Sequence, residues 1–177
     1  MMDPEQLSET AREHYARRQY REAARLFAEA AEAYGERGAV LNAAEARNNQ
    51  CVALLKAKRP EEALAAVTGT AELFAAAGDR RRQGLALANQ ASALEALKRY
   101  PEALTLYRQA ADWLEQVGED QARADVLGAV AELNARLGRL TDMIYDEQDA
   151  LLGVKKPTFR QRLLRTLMLH VLWRKRR

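Results

Sequence analysis

Asn49 and Asn89 stand forty residues apart, and Asn48 immediately precedes the first of them. An amide side chain offers one acceptor and two donors, so a row of asparagines can pair with the N–H and C=O groups of an extended peptide whatever its sequence. The competing reading is that they are solvated polar side chains, the ordinary fate of asparagine. Arg80-Arg81-Arg82 is a second candidate. Three cations that open a helix sit where the backbone already carries positive partial charge. Either Asp79, Glu119 and solvent balance them, or they contact an acidic ligand.

Catalysis has less to build on. Two histidines, one cysteine and no adjacent ligand spacing leave no N/S metal site, so no cofactor and no metal are expected. Glu61-Glu62 and Asp146-Glu147 fall in the opening turns of helices, where carboxylates meet the helix dipole favourably. Glu22, Glu102 and Asp142 recur at that same phase, which marks a structural role. His14 falls at a repeated packing position and reads as a half-buried structural residue. The expectation is a protein that is not an enzyme.

What must position these residues is a repeat. Gly38, Gly78 and Gly118 are spaced by forty residues, and the segments Gln19-Tyr20-Arg21-Glu22-Ala23, Arg59-Pro60-Glu61-Glu62-Ala63 and Tyr100-Pro101-Glu102-Ala103 fall into the same register. A fourth copy, Leu140-Thr141-Asp142-Met143-Ile144, keeps the spacing and loses the alanine. Self-similarity at a period of roughly 20–50 residues marks stacked units, none of which buries its apolar face alone. Four prolines and nine glycines interrupt a chain rich in strong helix formers, so the fold is all-α. Antiparallel hairpins of helices are expected over about 3–18, 20–37, 41–58, 60–77, 80–98, 100–117, 120–138 and 140–152. The repeats run over about 3–38, 41–78, 80–118 and 120–152, inside a domain spanning 1–153. Asp3 with Pro4 and Gln6 reads as an N-cap and capping box, Asp79 as an N-cap, and the three glycines as helix stops. Pro60 and Pro101 suit the first turn of second helices.

Small residues recur at Ala11, Cys51, Ala91 and Ala131, where helices must approach closely, and bulky ones at Phe27, Val67 and Tyr107. With Ala23-x-x-x-Phe27, Ala103-x-x-x-Tyr107, Ala30 and Ala110, this pattern resembles the tetratricopeptide repeat family, whose usual unit has about 34 residues. The forty-residue unit looks like the longer-helix variant of kinesin light chains and of spindle-orientation scaffolds of the Pins and LGN type. The family's first-helix aromatic is His14, Leu54, Leu94 and Asn134 here, and Glu147 replaces the bulky residue of the last copy, so the fourth unit reads as a degenerate terminal cap.

The resemblance implies a right-handed superhelical solenoid whose first helices line a concave groove. Its forty-residue relatives use groove asparagines to hold a peptide backbone, which places Asn48, Asn49 and Asn89 in the groove, with Arg12, Lys56 and Ser92 sharing it. The function so implied is a non-enzymatic adaptor or scaffold that binds a protein or peptide partner.

Charge divides the chain. Residues 1–153 hold 19 Lys and Arg against 25 acids, a net of −6, whereas residues 154–177 hold nine basics and no acid, a net of +9. Residues 154–177 read as a basic amphipathic helix and tail, apolar from Phe159 to Trp173 and ending in Arg174-Lys175-Arg176-Arg177. Three readings stand. The tail caps the last repeat, or it lies on an anionic membrane surface through residues such as Arg160, Arg165, Trp173, Arg174 and Lys175, or it docks onto a partner. Nucleic acid ranks last, because no recognition motif or basic stripe accompanies the tail. Leu163 to Trp173 falls far short of the roughly 20 apolar residues that span a bilayer. One cysteine and no signal segment point to a reducing, cytoplasmic setting, with membrane association through the tail. The alternative to an adaptor is a structural or assembly subunit of a larger complex, peripheral to a membrane.

Overall fold

Proline, glycine and alanine set the architecture. In the computed structural model, which describes residues 3–152 and side chains as far as residue 138, the elements are α1 (Pro4–Ala16), α2 (Tyr20–Glu36), α3 (Val40–Lys56), α4 (Pro60–Val67), α5 (Thr70–Ala76), α6 (Arg80–Ala96), α7 (Tyr100–Gln116) and α8 (Asp120–Leu152). No strand occurs among the described residues. The chain is an all-helical repeat solenoid. α1 packs on α2, α2 on α3, α3 on α4, α5 on α6 and α6 on α7, and the stack is continued by α3 against α5 and α6 and by α4 against α6. None of the helices among the described residues is long and apolar enough to cross a membrane. The chain divides into two compact units, residues 1–131 and 132–177. The described part of the second is the remainder of α8.

Pro4, Pro60 and Pro101 each open a helix, where the missing N–H has no partner to lose. Asp79 caps α6 as expected: its Oδ1 accepts the Arg82 N–H at 2.9 Å. Asp3 does not. It precedes α1 without a side-chain cap bond, and its carboxylate instead accepts from Arg37 Nη1 at 2.6 Å. The guanidinium offers the carboxylate a charged donor in place of the backbone one.

Six turns close alike. Gln19, Ala39, Arg59, Asp79, Arg99 and Glu119 each donate their N–H to the carbonyl five residues back at 2.9 Å, the bond that seals a helix ending in a left-handed residue. That residue is Gly38, Gly78 or Gly118 where second helices lead into first helices, and Arg18, Lys58 or Lys98 where first helices lead into second.

The packing series hold through three repeats. Ala11, Cys51 and Ala91 are fully buried, and Phe27, Val67 and Tyr107 fill the core. Ala131, the expected fourth small residue, is exposed. Two helix boundaries also differ from expectation. The helix expected over 60–77 is split at Gly69, which takes φ 84°, and the buried Thr70 donates its hydroxyl to the Val67 carbonyl at 2.8 Å. The break expected near Gly138 is absent, because α8 runs unbroken for 33 residues. The fourth copy has neither the proline of Pro60 and Pro101 nor the alanine of Ala23, Ala63 and Ala103, which are fully buried in their hairpins. Without that close approach, nothing repays breaking a helix.

Candidate functional site

The three asparagines are separated by helix phase. Asn48 lies four residues after Ala44 and three before Cys51, both fully buried, so the 3.6-residue period turns it inward. Its amide donates to the Ala44 carbonyl at 3.0 Å, and its Oδ1 accepts from Asn89 Nδ2 at 3.2 Å. Asn48 and Asn89 are thus joined across the α3–α6 contact. Asn49, one residue on, is half-exposed, and its amide bonds to no other described residue.

Asn49 opens onto a depression of about 180 Å³ that it lines with Arg12, Tyr15, Phe27 and Val52. Elements α1, α2 and α3 contribute one wall each. Arg12 is exposed and held by Glu9 at 2.9 Å. The floor is apolar and aromatic, and the rim carries one guanidinium and one free amide. Tyr15 and Val52 were not singled out from sequence, although both stand three residues from a rim member (Arg12 and Asn49), the spacing that puts helical neighbours on one face.

The other groove candidates fall elsewhere. Ser92 is turned to its own fold: its hydroxyl lies 2.9 Å from the Ala88 carbonyl and 3.0 Å from the Tyr107 hydroxyl, which donates to Glu95. Lys56 is exposed in the last turn of α3. Arg160, Arg165, Trp173, Arg174 and Lys175 lie outside the described residues.

Each cation of the Arg80-Arg81-Arg82 run has a partner inside the chain. Arg80 lies 5.7 Å from the Trp113 ring centroid, and Arg81 bonds to Glu119. Arg82 stands 4.9 Å over the Phe74 ring, donates Nε to Asp79 at 2.6 Å and Nη1 to Glu45 at 3.1 Å. The hydrogen bond from the Arg82 N–H, and then the Arg82 guanidinium, hold the Asp79 carboxyl below the ordinary carboxylate range. A depressed carboxyl pKa adds stability above its unfolded value that is lost as pH falls. The positive end of α6 is therefore compensated from its own cap and from α3.

Cys51 reports on the packing between repeats. Its Sγ sits 3.7 Å from the Asn89 carbonyl, and burial pushes the thiol up to about 12. The folded chain holds this proton above the pH at which the unfolded chain releases it. The stability it contributes is thus present below about pH 8.5 and is lost as pH rises through the window up to the folded value. Alkylation by iodoacetamide at pH 8 is expected to be about a thousandfold slower than for a free thiol, and full reactivity should return in denaturant. Equal rates in the two states would contradict the burial of the small-residue series.

Against known proteins, a family model described as soluble NSF attachment protein matches residues 4–147. No curated protein matches the chain. The matched span takes in all seven complete helices of the repeats and most of α8.

Proposed function

Because the chain belongs to the soluble NSF attachment protein family, we propose that it is a non-enzymatic adaptor that holds a protein partner on the first-helix face of its repeats. The family is one of helical-repeat adaptors for protein partners, and its name speaks of attachment to NSF. Attachment in that sense, one protein held against another, is the role we assign here.

The observation that carries the reading is the convergence of Arg12 and Asn49 on one depression with a floor of Tyr15, Phe27 and Val52. A partner's apolar side chain would seat on the floor as an anchor. The Asn49 amide would pair with the neighbouring backbone, and Arg12 would meet a carboxylate or carbonyl at the rim. This is the form in which the likeness to kinesin light chain and Pins-type units enters: an extended segment held by its backbone. Asn89 and Asn48 contribute by fixing α3 against α6, and Lys56 by its charge at the far end of the same helix.

The test uses peptides selected from a displayed random library against the whole chain. Joint replacement Arg12→Ala and Asn49→Ala should weaken them about tenfold or more, the loss of one or two good contacts, with an unchanged melting temperature. Unaltered affinity would remove this face from the reading.

A second reading is favoured by the charge division. A +9 tail on a −6 body suits a subunit of a larger assembly attached at an anionic membrane through residues 154–177. In that case, deleting the tail abolishes association altogether, whereas the adaptor keeps its peptides.

A further inference from the structure

The second helix of a repeat runs for 17 residues in α2 and in α7, but in the second repeat it breaks into α4, of eight residues, and α5, of seven. Gly69 sits at the break with φ 84°, and a Cβ built there would meet nothing within 4 Å, so the joint has room to swing. Across it, side chains stand in for the backbone ladder. Thr68 donates its hydroxyl to the Leu64 carbonyl at 2.7 Å, and Thr70 donates its own to the Val67 carbonyl at 2.8 Å. A second left-handed glycine, Gly78 at φ 71°, follows the C-terminal end of α5. Seven residues are far below the length at which a helix holds its shape in water, so α5 depends on what it packs against.

Its supports are α6 and α3. Phe74 is 1% exposed, and Thr70 and Ala71 are buried with it, whereas Glu72, Ala75, Ala76 and Ala77 face solvent. Arg82 of α6 closes over the Phe74 ring at 4.9 Å and is itself held by Asp79 at 2.6 Å and by Glu45 of α3 at 3.1 Å. The Asp79 N–H in turn donates to the Phe74 carbonyl at 2.9 Å. The attachment of α5 thus rests chiefly on one ring and the guanidinium above it. In α2 and α7 the matching segments are continuous with the rest of a 17-residue helix and cannot leave without it.

We propose that α5 is a hinged strap that opens on Gly69 and Gly78 while the rest of residues 1–131 stays folded, with Arg82 as its latch. Segments with few buried apolar contacts open at a smaller cost than the whole body. Opening bares the seat of Phe74 on α3 and α6 and frees the Arg82 guanidinium from the ring. The strap thereby controls access to an apolar surface that the closed chain hides. This device is independent of the depression at Asn49, none of whose lining residues belongs to α5.

The test compares two thiols in one chain. Ala71→Cys puts a thiol of nearly the same size inside the strap. Cys51, further along α3 than Glu45 and with its Sγ against the Asn89 carbonyl of α6, reports on the body. Under iodoacetamide at pH 8 the thiol at position 71 should be alkylated about tenfold or more faster than Cys51. Its rate should be nearly independent of urea below the unfolding midpoint, because opening a strap exposes little surface. Adding Arg82→Met should speed alkylation at position 71 about two- to thirtyfold, the worth of a cation–π contact, and an unchanged rate would overturn the latch. Equal rates at the two thiols, or a rate at position 71 that climbs with urea as steeply as at Cys51, would mean that α5 leaves only when the body unfolds and would overturn the strap. Hydrogen exchange of the unaltered chain makes the same comparison without a substitution, with the Ala75 N–H of the strap set against the Ala53 N–H of α3 and the same outcomes deciding.

Discussion

Ala91→Phe is expected to destabilise the chain by about 1–3 kcal/mol or more, the cost of overpacking a filled core, and Ala131→Phe to change stability by no more than about 0.5 kcal/mol. The two alanines occupy the same phase of the forty-residue period. They differ in burial: Ala91 is fully enclosed in α6, and Ala131 is exposed on α8. A phenyl ring at Ala91 has no space to enter where Cys51, its counterpart one repeat earlier, already lies against the Asn89 backbone. With a total stability of about 5–15 kcal/mol for a domain, that loss moves a urea midpoint well outside its error. Equal losses at both sites would mean that the fourth copy packs like the first three. No loss at Ala91 would mean that the register is wrong.

The contrast between those alanines shows what the period discloses and what it leaves out. Repetition places α1, α2, α3, α6 and α7 because their punctuation, Pro4, Gly38, Asp79, Pro101 and Gly118, agrees with the hydrophobic phase. Where period and local chemistry disagree, local chemistry decides. Thr68-Gly69-Thr70 is a turn signal inside the second repeat. Translation from Ala28-Glu29-Ala30 and Arg108-Gln109-Ala110 hides it, because neither counterpart carries a glycine. At the other end, Gly138 reads as a stop by composition. A helix ends there only if a partner helix can close on it, and the copy that follows lacks the alanine for that.

The site is legible to the same degree. Asn48 and Asn49 are equivalent as residue types, and only the phase relative to Ala44 and Cys51 separates the inward amide from the outward one. The Asn48–Asn89 bond belongs to no period, since it joins residues 41 apart that stand on different faces of their helices. Arg12 and Asn49 come from alignment, but the floor beneath them mixes three helices and emerges only when α1, α2 and α3 are packed together. Arg18, Lys58 and Lys98 are plain in the sequence, but the left-handed φ they share with Gly38, Gly78 and Gly118 is not something composition reveals.

Phe74→Ala is expected to be the most damaging single truncation, with a loss of about 3–5 kcal/mol. The ring is among the largest fully buried side chains, and it belongs to α5, seven residues long, which has little else to hold it on α6 and α3 after the break at Gly69. The same ring carries the Arg82 guanidinium at 4.9 Å. Phe74→Leu keeps most of the volume and forfeits the aromatic face, so it should cost less, and the cation–π contact it gives up is worth about 0.5–2 kcal/mol. A double-mutant cycle of Phe74→Leu with Arg82→Met, read from urea midpoints, isolates that contact. A coupling within this range would commit Arg82 to Phe74, Asp79 and Glu45 as a clamp between α5, α6 and α3. Zero coupling would leave the guanidinium free of the ring, and the Arg80-Arg81-Arg82 run would regain its standing as a contact for an acidic ligand.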